Sequence, residues 1–307
     1  PDRLAGCLDA LQNQDDPGYE VIVVDNAPDS DAVERLVAAR SGPVPVRYVV
    51  ETRPGLSWAR NAGLAAARGD IVAYLDDDEQ PDRYWLAELA RGFTVAPDVA
   101  GVSGAVFPAR LDTPAQCLFE RFGGHSKGRA FVPAVFDQAS HARQHPLYPL
   151  PPFGVGASMA FDRDALVALG GFDTALGAGT AAKAGEDTAV ISLLMLSGAT
   201  FVYWPAAVMW HEHRATVAEL GRQLNGYGSG LTAFYTSLLL HHPRYLTTLL
   251  RLAPRALRDL RGHGPARTEA DGGGFPAWLR RSELLGMLAG PSRYLRAFAR
   301  NWQRRTP

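Results

Sequence analysis

Residues 72–81, VAYLDDDEQP, set Asp76, Asp77, Asp78 and Glu79 side by side directly after an apolar run. Adjacent carboxylates repel one another and gain nothing from packing, so such a run calls for positive charge nearby. A solvated turn or a helix N-terminus is the ordinary setting for a short acidic run. The chemical alternative is chelation. Asp76 and Asp78, at i and i+2 on a strand exit, can turn to one side and hold a hard divalent cation through oxygen, with a diphosphate supplying further ligands. A cation there would relieve the repulsion and stabilise a departing nucleoside diphosphate. Two more groups carry chemistry: Glu186 and Asp187 in GEDTAV, and His211 and His213 in WHEHR. The acids open a helix, where they also suit the macrodipole with no catalytic duty. The histidines project together from an extended stretch and could add an imidazole ligand to a cation, or be surface residues with no such duty.

These residues need a scaffold that delivers them to one place. YEVIVVDN (19–26) is an apolar, β-branched run ending in a carboxylate and an amide, as a buried parallel strand does at a sheet's C-terminal edge. The pattern repeats: a helix over 29–40, a strand at 44–50, a helix at 57–69, a strand at 70–76, then Pro81 before the helix RYWLAELARGF. Strands alternating with helices at this spacing predict a parallel sheet covered on both faces, with ligands at the carboxyl ends of the strands. Both Asp25 and the acidic run fall at that edge. After VAGVSGAVFPAR the periodicity fades, and residues 112–151 read as a long surface excursion resembling a flap. Strand-like FGVGASMAF (153–161), helices from Asp164 and Glu186, and a short strand TFVYW (200–204) resume the core; from Thr216 the chain reads as helical, with a Gly-rich linker at 262–276.

A chain of 307 residues, 47% hydrophobic and 21% charged, can bury a sizeable core in one or two domains. Cys7 and Cys117 are its only cysteines, which excludes a disulfide framework and a cysteine-rich zinc site and fits a reducing, cytoplasmic setting. No run reaches the roughly 20 apolar residues that span a bilayer. The opening PDRLAGCLDALQNQ reads as the middle of an amphipathic helix and not as a signal peptide, so further sequence is expected before Pro1. Net charge is −1, yet from His241 onward 13 Arg face 4 acids, a balance of +9. Such an arm suits an anionic surface, including the inner face of a membrane, or is simply a solvated helix face.

The ordered set VVDN, RPGLSWARNAG, LDDDEQP, FGVGASM, GGFD and GED resembles the family-2 nucleotide-sugar glycosyltransferases over residues 1–230. Each motif alone is weak, and the ordered set is specific. The resemblance implies a GT-A, Rossmann-like α/β fold with a mostly parallel sheet flanked by helices. It implies that Asp25 hydrogen-bonds the donor base, although an N-terminal helix cap is the structural alternative. It places Pro54 and Gly55 at a close backbone approach to the donor, with Arg60 and Asn61 facing the nucleotide and the acidic run; an ordinary salt bridge is the alternative for Arg60. The acidic run matches the Asp-x-Asp signature: Asp76 contacts ribose or metal, Asp78 is the principal metal ligand, Asp77 is donor-side, and Glu79 has no assigned role. Gly154, Gly156 and Met159 match the segment lining the sugar and acceptor pocket, unless the glycines mark a mere strand bulge. Asp187 becomes the general base toward the acceptor hydroxyl, and Glu186 binds acceptor or orients the loop. His211, then His213, are the histidine candidates for the metal.

Family members begin with a further strand beside the nucleotide, and its place would be just before Pro1. The resulting expectation is a catalytic domain over 1–215 and a helical, basic region over 216–307. The expected activity is metal-dependent (Mn2+ or Mg2+), inverting transfer, of hexosyltransferase type, from a nucleoside-diphosphate-sugar to a carbohydrate or lipid-linked acceptor in polysaccharide or glycolipid synthesis at the cell envelope. Peripheral membrane contact through the basic region is expected; a nucleic-acid partner is not. The rivals are a nucleotidyltransferase and a nucleotide-sugar-binding scaffold without turnover.

Overall fold

The structure is a computed structural model and describes residues 2–16, 18–40, 42–121, 123–125, 129, 131–148, 150, 153–259 and 276–303. Its elements are α1 (Asp2–Gln12), β1 (Val21–Asn26), α2 (Ala32–Ala38), β2 (Val46–Glu51), α3 (Leu56–Ala66), β3 (Ile71–Tyr74), β4 (Glu79–Pro81), α4 (Trp85–Gly92) and β5 (Val99–Pro108). There follow α5 (Pro114–Arg121), β6 (Ala134–Phe136), β7 (Met159–Asp162), α6 (Arg163–Ala168), α7 (Glu186–Leu196), β8 (Thr200–His211), α8 (Val217–His241), α9 (Leu246–Arg258) and α10 (Ala277–Gln303).

The α/β class with flanking helices is as expected, and the pairing is more mixed than a mostly parallel sheet. β1 and β2 pair in parallel as a two-stranded sheet. The remaining strands run in the order β3-β7-β5-β8-β4, with β6 added along β8. Within this second sheet β5–β8 is parallel, and β3–β7, β5–β7, β4–β8 and β6–β8 are antiparallel. One face packs on α6 and α7 through Leu166, Val190, Ile191 and Leu194. The other packs on α1 and α4 through Leu8, Leu11, Trp85 and Leu89, a core that Val21 and Val23 of β1 also enter.

Three segments depart from the sequence pattern for local reasons. β8 continues past the expected end at Trp204 to His211; Pro205 lacks an amide donor, and the ladder with β5 breaks between Tyr203 and Val208 before resuming. Of FGVGASMAF only the last residues join the sheet, because Gly154 adopts φ 113°, outside strand geometry. The described parts of 112–151 are no loose surface excursion: α5 forms, β6 pairs with β8, and Phe136 and Leu147 are buried. The expected linker lies, but for Pro276, outside the described residues.

Thr216 caps α8 in a reciprocal capping box with Glu219. α8 and α10 then cross closely, since a side chain at Gly228, Gly286 or Gly290 would run into the facing helix. Asn225 to the Ser282 carbonyl (2.9 Å) and Thr232 to that of Met287 (2.7 Å) fasten the crossing. Both helices share a core with Leu176 and Ala189, and Tyr294 and Ser237 hydrogen-bond Asp173 (2.9 and 2.5 Å), so this region is packed onto the body of the fold.

Candidate active site

β1 carries Asp25 to the sheet edge. Tyr48 pairs with Val23 across the β1–β2 ladder and reaches Asp25 on the same face, donating to Oδ2 at 2.8 Å. The adjacent Asn26 accepts from the Gly55 amide at 2.8 Å and donates to the Arg53 carbonyl at 2.8 Å, which fixes the turn bearing Pro54 and Gly55. Pro54 is exposed on that turn, and Arg53 stacks on Trp58.

From α3 the Arg60 guanidinium enters the centre of the site, almost fully buried. Nη1 donates to Glu186 Oε1 at 2.9 Å; Nη2 reaches Asp76 Oδ1 at 3.4 Å and the Gly156 carbonyl at 3.5 Å. Burial works against its charge, but Asp76, Glu186, Asp187 and Glu79 together hold the guanidinium above its ordinary value. The positive charge that the acidic run calls for is therefore partly the chain's own. Arg3 of α1 adds to it, 3.8 Å from Asp78.

The run divides by burial. Asp77 is exposed at the turn. Glu79, buried, accepts from the Asp76 amide through Oε2 at 2.7 Å, while Oε1 has no hydrogen-bond partner among the described residues. Burial, then the Asp76 charge, pushes its carboxyl well above the usual range. β4 pairs with the end of β8 so that Glu79 stands opposite His211, and one ligand atom from each of Asp78, Glu79 and His211 lies within 4.8 Å of the others. An orphaned buried carboxylate oxygen beside an aspartate and an imidazole is a donor set that fits a divalent cation.

α7 starts with Glu186 and Asp187. Asp187, half-buried, accepts from the Gly156 amide at 2.9 Å through Oδ2 and from the Thr188 amide at 2.6 Å through Oδ1. A Cβ on Gly156 would lie 3.0 Å from Asp187 Oδ2 and 3.4 Å from Arg60 Nη2, so glycine is what lets the three approach. Burial, reinforced by Asp187 and opposed by Arg60, raises the Glu186 carboxyl to about 7.

The structure thus gathers Arg60, Asp76, Gly156, Glu186 and Asp187 in one locus, with Asp78 and His211 meeting at the far end of the acidic run. Three expected residues stand elsewhere. Met159 is completely buried in β7 within the core and offers no surface to an acceptor. The side-chain amide of Asn61 is used by the backbone of Phe172, donating to its carbonyl and accepting from its amide, both at 2.8 Å, so it positions the GGFD segment. Gly154 lies against Ser103 of β5, which hydrogen-bonds the Phe153 carbonyl; it shapes the turn before β7. His213 is near His211 but directs Nε2 to Glu120 at 2.7 Å.

A family model described as glycosyl transferase family 2 matches residues 1–170. The chain belongs to that family. Among curated relatives it is 28% identical over 192 residues to the pre-mycofactocin glycosyltransferase of Mycobacterium tuberculosis, covering 62% of this chain and 36% of the relative. It is 26% identical over 127 residues to the glucosyl-dolichyl phosphate glucuronosyltransferase of Haloferax volcanii, covering 40% of this chain and 36% of the relative. The matched part is thus little more than a third of those relatives' length. Among solved structures, a mannosyltransferase of Pyrobaculum calidifontis in complex with GDP-Man and Mn2+ shares the fold at a TM-score of 0.53 and 21% identity, covering 98% of this chain and 72% of that one.

In this family-2 chain the sequence reading missed Asn26, Glu79, Glu120 and His125. Strand alternation could have found Glu79, since it leaves the turn on β4 opposite β8. No periodicity marks His125 or Glu120. A cavity of about 480 Å3 lined by Trp58, Asn61, Phe172, Asp173, Phe298 and Trp302 includes none of Asp76, Asp78, Glu186 or Asp187. The charged cluster lies outside this cavity. Among the described residues no helix is long and apolar enough to cross a membrane.

Proposed function

We propose that this family-2 chain is the catalytic part of a divalent-metal-dependent, inverting glycosyltransferase acting on a nucleoside-diphosphate-sugar. The observation that supports this best is the Arg60 guanidinium, joined at once to Asp76 and to Glu186. It sets the acidic run of the donor side and the acid pair of α7 across one charge. The mannosyltransferase of like fold holds GDP-Man and Mn2+, in keeping with a sugar nucleotide and a divalent ion here.

Asp25, oriented by Tyr48, accepts from a base N–H, and the turn fixed by Asn26 lets the Pro54–Gly55 backbone approach the donor. Asp78, Glu79 and His211 would hold the cation, with Asp76 toward the ribose. When bound, the ion supplies stabilisation of negative charge on the leaving diphosphate. Asp187 accepts the proton of the acceptor hydroxyl as its oxygen attacks the anomeric carbon. The bond to the diphosphate breaks, its electron pair leaves with the phosphate oxygen, and a single displacement inverts the configuration. Backbone amides of Gly156 and Thr188 aim Asp187, and Glu186 sets Arg60 in place.

We also assign residues 1–215 to the catalytic unit and residues 216–307 to a helical region that contacts an anionic membrane surface, with a lipid-linked or cell-envelope acceptor. α9 supports this: Leu246, Leu250 and Leu257 are exposed on one side of the helix, while Arg251, Arg255 and Arg258 lie on another.

Incubation with Mn2+ and a panel of sugar nucleotides tests the reaction. Donor hydrolysis or transfer that falls roughly 10²–10⁴-fold in Asp187→Asn is expected. Pyrophosphate release would indicate nucleotidyl transfer instead, and binding without turnover would indicate a scaffold.

A further inference from the structure

Three histidines from two distant stretches converge beside the donor site. His211 ends β8 and His213 follows at i+2, so both rings leave the same side of the extended chain. His125 follows α5. Its ring centroid lies 4.7 Å from that of His211 and 5.4 Å from that of His213. All three are buried, and one ring nitrogen from each lies within 4.8 Å of the others.

The hydrogen bonding orients them as ligands. His213 Nε2 meets Glu120 Oε1 at 2.7 Å; in the tautomer whose Nε2–H donates to this carboxylate, the Nδ1 lone pair is left facing inward. That Nδ1 stands 3.3 Å from His211 Nδ1. Two nitrogens bound tetrahedrally to one ion at Zn–N lengths of about 2.0–2.1 Å are separated by about 3.3 Å. A carboxylate behind a ligating imidazole is the usual outer-shell partner of such an ion. Phe119 packs its ring against both His125 and His213, holding their planes.

We propose that His125, His211 and His213 form a three-nitrogen site for a borderline transition ion, Zn2+ above all, oriented by Glu120. Nitrogen donors in a compact cluster select against Mg2+ and Ca2+, which take oxygen ligands. The site shares His211 with the cation position on Asp78 and Glu79, so an ion held by the three imidazoles competes with that position for the histidine. It also ties the segment after α5 to the end of β8, and through β4 to the acidic run. The proposal stands without the transferase reading, because its readout is metal binding with no sugar nucleotide present.

Chelator-stripped full-length protein would be titrated with Zn2+ by calorimetry and with Co2+ by visible absorption. One ion per chain and the intense visible bands of tetrahedral Co2+ are expected. Glu120→Gln should weaken Zn2+ binding about 10–100-fold. His125→Gln and His213→Gln should weaken it further and abolish the tetrahedral bands, with circular dichroism confirming that each variant folds. Should a histidine variant not fold, Glu120→Gln decides alone. Binding unchanged in folded variants, a weak six-coordinate Co2+ spectrum, or no binding to the unaltered protein overturns the proposal.

Discussion

Arg60 and Glu186, 126 positions apart, form a buried ion pair with Nη1 and Oε1 at 2.9 Å. Arg60 arrives from α3 and Glu186 from the first turn of α7, so the pair locks two helices together at the point where the proposed donor and acceptor sides meet. Removing one partner of a buried pair leaves the other charge uncompensated, at a cost of about 3–5 kcal/mol. Arg60→Met is expected to lower unfolding free energy in urea by about 3 kcal/mol. The double variant Arg60→Met with Glu186→Leu should recover most of that loss while remaining inactive. An activity that recovers with stability would show that the pair serves packing alone.

Stability should fall as pH rises through neutrality. The Glu186 carboxyl is held at about 7 when folded, above its ordinary 4.5, and Glu79 is raised in the same direction. A carboxyl whose folded value is raised binds its proton more tightly in the native state, so its contribution is complete below the unfolded value. That contribution is lost as pH passes upward to about 7. In chelator-containing buffer, Tm is expected to decline between pH 5 and pH 8, and Glu186→Gln should flatten the decline. A profile of equal slope in both proteins counts against the assignment.

Metal and nucleotide should stabilise together. Mn2+ with a nucleoside diphosphate raises Tm by mass action if Asp78, Glu79 and His211 hold the ion. Asp78→Asn and Glu79→Gln should each remove most of that shift. Glu79→Gln should also leave the apo protein as stable as the parent or more so, because it removes a buried carboxylate whose Oε1 has no partner. Thermal shift with and without Mn2+ reads both effects.

Met159 separates core from pocket. It is fully buried in β7, between Tyr74 of β3 and Ser103 of β5 in register. Met159→Ala should cost about 2–5 kcal/mol of stability, as large-to-small core changes do. At a temperature where the variant is folded, acceptor KM should be unchanged. A raised KM with unaltered stability would return Met159 to the acceptor pocket.

The candidate residues were legible from residue types and from the resemblance to family 2. Asp25, the Asp76–Asp78 run and the Glu186–Asp187 pair sit at element ends, where apolar periodicity stops and carboxylates begin, while Arg60 lies inside α3 and reaches Asp76 and Glu186. Gly156 was legible as a close approach, though its partner Asp187 was not. Residues such as Asn61 and Met159 carry no mark in their type that separates a positioning or core role from ligand contact. Their burial depends on which strands flank β7 and on where Phe172 lies.

By itself the sequence determined the α/β alternation, the acids at the strand exits and the basic helical region, because hydrophobic period and charge are local properties of the chain. Tertiary structure alone decided that one guanidinium joins Asp76 to Glu186, that Glu79 faces His211, and that His125 meets His211 and His213. Each of these joins stretches dozens of residues apart or more, and such contacts follow from strand order and helix packing, which no local pattern encodes.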